Sequence, residues 1–190
     1  MKKVYFILVL IVCFSCENNS ISLPKPPTYL RLNLPEHSYK EFVSPCGYRF
    51  VHSTLYTLNN VYDTLGNITC HKDIDLGILN GTIHLSYIEM KEPLATYVNF
   101  ANNKVDEHKV KASAIEDQQI IRKKDKIYGT LFELQGDVAS PFQFYLTDSV
   151  SHFVSGIVYF NSRPNYDSLK PTLDYLKTDL LKLVNTFKWK

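Results

Sequence analysis

The sequence predicts an α+β fold, a single-domain sandwich in which a largely antiparallel sheet is packed by a central and a C-terminal helix. Three observations lead there. Segments with an apolar period of two come first, a stretch with a period of three to four follows Pro93, and the order then repeats, so the chain reads strands, helix, strands, helix. The segment 153–160, FVSGIVYF, is apolar on both faces, which belongs in the middle of a sheet with helices packed against it. Leu173, Leu176, Leu180, Leu183 and Phe187 recur at spacings of three and four, a helical stripe able to supply that cover.

Ahead of these elements lies a leader. Lys2 and Lys3 precede an unbroken apolar run at 4–14, and Ser15-Cys16 closes it, the layout of an exported chain. Eleven apolar residues fall well short of the about 20 that a membrane-spanning helix needs. A cysteine directly after the cut predicts the lipoprotein variant, in which the Cys16 thiol takes up lipid and Cys16 becomes the mature N-terminus. The cleavage box is imperfect, with Cys13 where an aliphatic residue is usual, and Val12 is a poorer cleavage neighbour for Cys13 than Ser15 is for Cys16. Residues 1–15 are thus expected as signal peptide, 16–28 as a lipid-anchored tether containing Pro24, Pro26 and Pro27, and 29–190 as one domain beginning near Tyr29. Fully extended, the segment 17–27 reaches about 35 Å.

Within the domain, strands are expected at 48–51 and 55–62, followed by a turn at Asp63, Gly66 and Asn67. Asn80-Gly81 introduces a clearer strand at 82–90, where Ile83, Leu85 and Tyr87 alternate with Thr82, His84 and Ser86, so one face is buried and the other meets solvent. After Pro93, Leu94, Val98, Ala101, Val105, His108 and Ala112 share one helical stripe. His108 on or beside that stripe reads better as a half-buried histidine bonded to the sheet than as a base, because no carboxylate shares its stripe at helical spacing. A hairpin at 115–121 and 127–134 turns at the charge run Lys123-Lys124-Asp125-Lys126. Further strands at 142–147 and 153–160 are joined by a turn at Asp148-Ser149. Asp167 or Ser168 is expected to cap the last helix, with Pro171 in its first turn and Trp189 packed on the same surface. The completed order of elements resembles the pattern of PsbP/Mog1-like sandwiches.

Charge and cysteine usage narrow the function classes. Loss of Lys2 and Lys3 lowers Lys plus Arg from 21 to 19, which balances the 19 Asp plus Glu, so the mature chain carries no electrostatic footprint for nucleic acid. Cys13 leaves with the leader and Cys16 goes to lipid, which leaves Cys46 and Cys70 as an even pair in an oxidising compartment. A disulfide is favoured; metal binding by Cys70, His71 and Asp73 or Asp75 is the alternative, without any C-x-x-C to support it. No cofactor is expected.

Catalytic signatures are sparse. The sequence holds no G-x-S-x-G, H-E-x-x-H, phosphate-cradling glycine loop or G-x-G-x-x-G. The nearest constellation is Asp148, Ser149 and His152, with Ser140 and Asp137 on neighbouring turns, but Asp148 and Ser149 are also what a tight hairpin requires. Tyr39, Tyr48, Tyr56, Tyr62 and Tyr166 lie near expected strand ends and suit either a protein interface or sheet-edge packing.

The stretches PKPPTYLRL (24–32), KIYGTLFELQGDVASPFQFYLTDSVSHFVSGIVYF (126–160) and RPNYDSLKPTLDYLKTDLLKLVNTFKWK (163–190) closely resemble the GldD family of gliding motility lipoproteins. The resemblance spans essentially the whole mature chain and is looser at 54–70. It implies an envelope lipoprotein required, with other gliding lipoproteins, for surface motility and for export by the type IX secretion system, with Cys16 as the lipidated residue. It brings no catalytic residues. The expected reading is a non-enzymatic protein held to the membrane by its lipid, at the periplasmic face of the outer membrane, among other gliding and type IX secretion envelope proteins. An envelope hydrolase acting on lipid or peptidoglycan, or a small-ligand module, is the alternative.

Overall fold

A computed structural model describes residues 33–190 of the chain. The leader, Cys16, the tether and the expected domain start near Tyr29 lie outside the described residues. The rest is the expected α+β arrangement, built from two antiparallel sheets and two helices. Strands β1 (Tyr39–Val43), β2 (Tyr48–Ser53) and β10 (Lys188–Trp189) form a small sheet in the order β1-β2-β10. Strands β3 (Thr57–Tyr62), β4 (Ile68–Asp75), β5 (Gly81–Glu89), β6 (Ala112–Arg122), β7 (Ile127–Gly136), β8 (Phe142–Thr147) and β9 (His152–Phe160) form the large one, in the order β3-β4-β5-β9-β8-β7-β6. Helix α1 spans Leu94–Asp106 and α2 spans Tyr166–Thr186.

The doubly apolar segment occupies the middle of the large sheet, as its composition requires. β9 pairs with β5 from Gly81↔Phe160 to Glu89↔His152 and with β8 on its other side. Its crowding is visible at Gly156, where an added Cβ would lie 2.2 Å from the Phe144 ring, so only glycine lets that ring lie flat on the strand.

One face of the large sheet carries the main core. Ile74, Ile83, Leu85, Leu131, Leu146, Val154 and Val158 meet the α2 stripe of Leu173, Leu176, Leu180 and Leu183, with Tyr48 and Phe50 of β2 and Phe187 completing the layer. All are at most 4 % exposed, and each such side chain contributes about 1.5–3 kcal/mol of transfer free energy. Tyr48 stacks on Tyr87 at 5.5 Å and on Phe187 at 5.7 Å, which seats the small sheet against both the large sheet and the helix end. The opposite face holds a smaller core, Val105 of α1 with Leu134 and Val138.

Several local expectations are corrected. The α1 stripe stops at Asp106 rather than running to Ala112, because Ala112 opens β6 opposite Gly136. Gly136 takes φ 109° and lies so close to the Lys111 carbonyl that a Cβ would approach it to 2.7 Å. His108 therefore sits in the turn after α1, half-buried; burial pushes its imidazole pKa below the ordinary value. The cap of α2 is Asn165, whose side chain accepts from the Ser168 N–H at 3.0 Å, so Pro171 stands beyond the first turn. Tyr48 and Tyr56 are buried at 0 % and 3 % exposure, and among the five tyrosines considered for an interface only Tyr62 is largely exposed. Strands β1, β4 and β10 had no clear pattern in the sequence.

Candidate functional site

Two places on the domain concentrate polar chemistry: the segment by which the chain enters the fold, and the end of the sheet where it leaves α2. At the first, residues 34–39 run along α2 as a strap. Tyr175 donates its hydroxyl to the Pro35 carbonyl at 3.0 Å, and the His37 ring stacks on Tyr175 at 4.1 Å. His37 Nδ1 meets Asp179 Oδ1 at 2.7 Å, and the Lys182 ammonium lies 5.3 Å from the centre of the Tyr39 ring.

Asp179 is the centre of this strap. It sits on the buried side of α2 with its side chain 1 % exposed, and Tyr56 donates to its other oxygen at 2.5 Å. Burial and then the Asp179 charge push the Tyr56 hydroxyl far above the ordinary phenol value, so it stays protonated and donates. The same causes raise Tyr39 to about 12. His37 keeps 30 % of its side chain in contact with solvent, so the network is sealed on one side and open on the other. Sequence reasoning missed Asp179; its one sequence-level signal was a carboxylate three residues after Leu176 and beside Leu180, on the apolar stripe.

The expected covalent pair is present. Cys46, in the turn between β1 and β2, is joined to Cys70 of β4 with Cα atoms 5.8 Å apart, and the Tyr48 hydroxyl donates to the Cys70 carbonyl at 2.8 Å. The other residues weighed for a metal have separate partners. His71 Nδ1 accepts from the Tyr87 N–H, Asp73 meets His84 Nδ1 at 2.7 Å, and Asp75 accepts from the Gly77 N–H. Among the described residues no group of three or more His, Cys, Asp or Glu is arranged to hold a metal ion.

Asp148, Ser149 and His152 are neighbours, but not as an acyl-transfer triad. One Asp148 oxygen accepts the N–H groups of Val150, Ser151 and His152 at 2.8–2.9 Å. Ser149 takes φ 70° in the turn and its N–H donates to Thr147 Oγ1. His152 Nδ1 faces the Tyr87 hydroxyl at 2.9 Å rather than Ser149. Ser140 donates to the Phe142 carbonyl, and Asp137 accepts the Tyr166 N–H at the start of α2. Each polar group of the constellation closes a turn or fixes an element.

The Asp148 turn carries a pH signature. Burial opposes its charge, but the N–H bonds from His152, Val150 and Ser151 outweigh it and hold its pKa below the ordinary 3.8. The group therefore stabilises the fold above its unfolded pKa, and that contribution is lost as pH falls through the folded value. Asp148→Ala is expected to cost about 1–2 kcal/mol at neutral pH. In urea unfolding the gap to the parent protein should narrow below about pH 4; a gap independent of pH would contradict the assignment.

Beyond that turn, β10 carries Trp189 against Phe187 and His152. Arg122 secures the junction, donating to the carbonyls of Val184, Asn185 and Phe187 at the C-terminal end of α2, where a cation also complements the helix dipole.

No helix among the described residues is long and apolar enough to cross a membrane. No curated protein matches the chain. The family model for gliding motility lipoprotein GldD matches residues 19–189, nearly its full length and every element described above. The chain therefore belongs to the GldD family of gliding motility lipoproteins, a membership that links it to gliding motility and implies a lipid-anchored place in the cell envelope.

Proposed function

We propose that the protein is a non-enzymatic anchored scaffold. Its Cys16 lipid holds the domain at the periplasmic face of the outer membrane, where it assembles or stabilises components of the gliding motor and of the associated type IX secretion system. The observation that carries this reading is the strap. A chain that enters its domain through a stacked, hydrogen-bonded segment fixed to a buried carboxylate transmits the position of its anchor to the whole fold, instead of hanging it on a loose end. The 1–15 leader directs export and lipidation of Cys16, and the proline-containing 16–28 tether supplies a reach of about 35 Å over 17–27.

Replacing Cys16 by Ala is expected to move the protein from the membrane to the soluble fraction and to abolish gliding and secretion. Full retention in the membrane with normal motility would refute the anchoring part. The hydrolase alternative is tested by Ser149→Ala, which removes the candidate nucleophile and should leave both gliding and secretion intact if the protein is a scaffold.

A further inference from the structure

At the Phe187 end of α2 the surface opens into a groove of about 420 Å3. Its floor is aromatic and fixed. The His152 ring lies 5.4 Å from Trp189 and is held from behind by the Tyr87 hydroxyl, while Trp189 Nε1 donates to the Lys126 carbonyl at 3.2 Å and its ring meets Phe187 edge-on at 4.8 Å. Its rim is basic, formed by Lys124, Lys126, Lys188 and Lys190.

The carboxylates beside this rim are already engaged. Asp125 lies 3.3 Å from Arg122 and 3.8 Å from Lys188, and Asp148 is committed to its three backbone N–H groups. Lys124, Lys126 and Lys190 form no ion pair among the described residues. An α-carboxylate on Lys190 still leaves the cations in excess. In a chain whose mature charge balances at 19 against 19, this is a local concentration of unpaired positive charge around an aromatic surface.

We propose that the groove docks an acidic peptide segment of a partner protein, its carboxylates on the lysine rim and an apolar side chain on Trp189 and His152. The inference rests on the scaffold reading and names the chemistry of the partner. A lone small anion would satisfy the lysines but leave the aromatic floor unused. A lipid headgroup carries one or two negative charges at a single point, whereas a segment with several carboxylates can meet lysines contributed by both the 124–126 turn and the 188–190 strand end.

Trp189 is the only tryptophan of the chain, so its emission reports groove occupancy directly. Full-length lipidated protein in a non-ionic detergent is titrated with a short Glu-rich peptide carrying one central Phe. A saturable change in Trp189 emission is expected, weakened at least about tenfold by Lys124→Glu with Lys190→Glu and by raising salt to about 0.5 M. The same peptide with Gln for Glu, inorganic phosphate and phosphatidylglycerol vesicles are expected to give no saturable change. Lys124→Gln with Lys190→Gln should lose less, and circular dichroism confirms that the variants fold. No saturable change with the Glu-rich peptide, an equal response to the Gln version, or a response unaltered by charge reversal would overturn the proposal. A response to the vesicles in place of the peptide would reassign the groove to headgroups and overturn it equally. Cys16→Ala protein should bind the peptide undiminished, so loss of membrane anchoring and loss of peptide docking are separately visible.

Discussion

Replacing Tyr56 by Phe, which deletes one oxygen, is expected to destabilise the domain by about 2–3 kcal/mol. The hydroxyl is the buried partner of Asp179, and its loss leaves one oxygen of a carboxylate that is 1 % exposed without a donor. A buried acceptor that loses its donor costs more than the bond contributes, so the asymmetry predicts an order of effects. Tyr56→Phe should be worse than Asp179→Asn, which removes the charge but keeps an acceptor. His37→Ala should be mildest, about 1–2 kcal/mol, because its ring is already partly hydrated. Combining Tyr56→Phe with Asp179→Leu should cost much less than the sum of the two singles, since each removes the reason for the other's penalty. Urea unfolding followed by Trp189 emission measures all five, the Asp179→Leu single included. A Tyr56→Phe cost below about 1 kcal/mol, or strict additivity in the double variant, would show that the carboxylate is not held as described.

The consequence for the scaffold reading lies in where that energy is stored. His37 and Asp179 are 142 residues apart in sequence, and Tyr56 and Asp179 are 123 apart, so the network closes the chain's entry segment onto its last helix. His37→Ala should therefore loosen the strap beyond its modest effect on global stability. Faster amide exchange confined to residues 34–39 and β1 is the expected sign.

The large sheet apart from β4, and both helices apart from the end of α1, were legible because their periods answer to burial on a single broad surface. β5 alternates buried and open residues from Gly81 to Glu89, and β9 reads as doubly apolar because it lies fourth of seven. Every residue of the α2 stripe is buried. The small sheet was hard to read for the opposite reason. β10 has two residues and β1 five, too few for a period to show, and both depend on β2 to exist. The helix cap was misassigned among several polar residues of similar propensity at 165–168, where only the three-dimensional position of the Ser168 N–H selects Asn165. Tyr48 and Tyr56 were ambiguous because tyrosine suits edges and cores alike until its hydroxyl finds a buried acceptor, here the Cys70 carbonyl and Asp179. The lysine groove was invisible for a related reason: Lys124 and Lys126 belong to a hairpin turn and Lys188 and Lys190 to the chain's last residues, and only the packing of β10 brings the two charge runs together.

Reduction of the Cys46–Cys70 bond, or Cys46→Ala with Cys70→Ala, is expected to cost about 3.5 kcal/mol, the chain-entropy value for a bridge spanning 24 residues. Its position gives the loss a direction. Cys46 lies in the β1–β2 turn of the small sheet and Cys70 in β4 of the large one, so the bond is a covalent cross-link between the two sheets beyond the backbone, supported by the Tyr48 hydroxyl on the Cys70 carbonyl and by Tyr48 stacked between Tyr87 and Phe187. Those contacts survive reduction. The reduced domain should therefore still fold, with a lower urea midpoint and with amide exchange accelerated in β1 and β2 while β5, β8 and β9 stay protected. Because β2 also carries β10, loosening it should disturb Trp189 and weaken peptide docking in the groove before the large sheet unfolds. A loss below about 1 kcal/mol would contradict the chain-entropy cost, and acceleration spread evenly over both sheets would mean that the bridge restricts only the unfolded chain while the aromatic interface alone holds the sheets together.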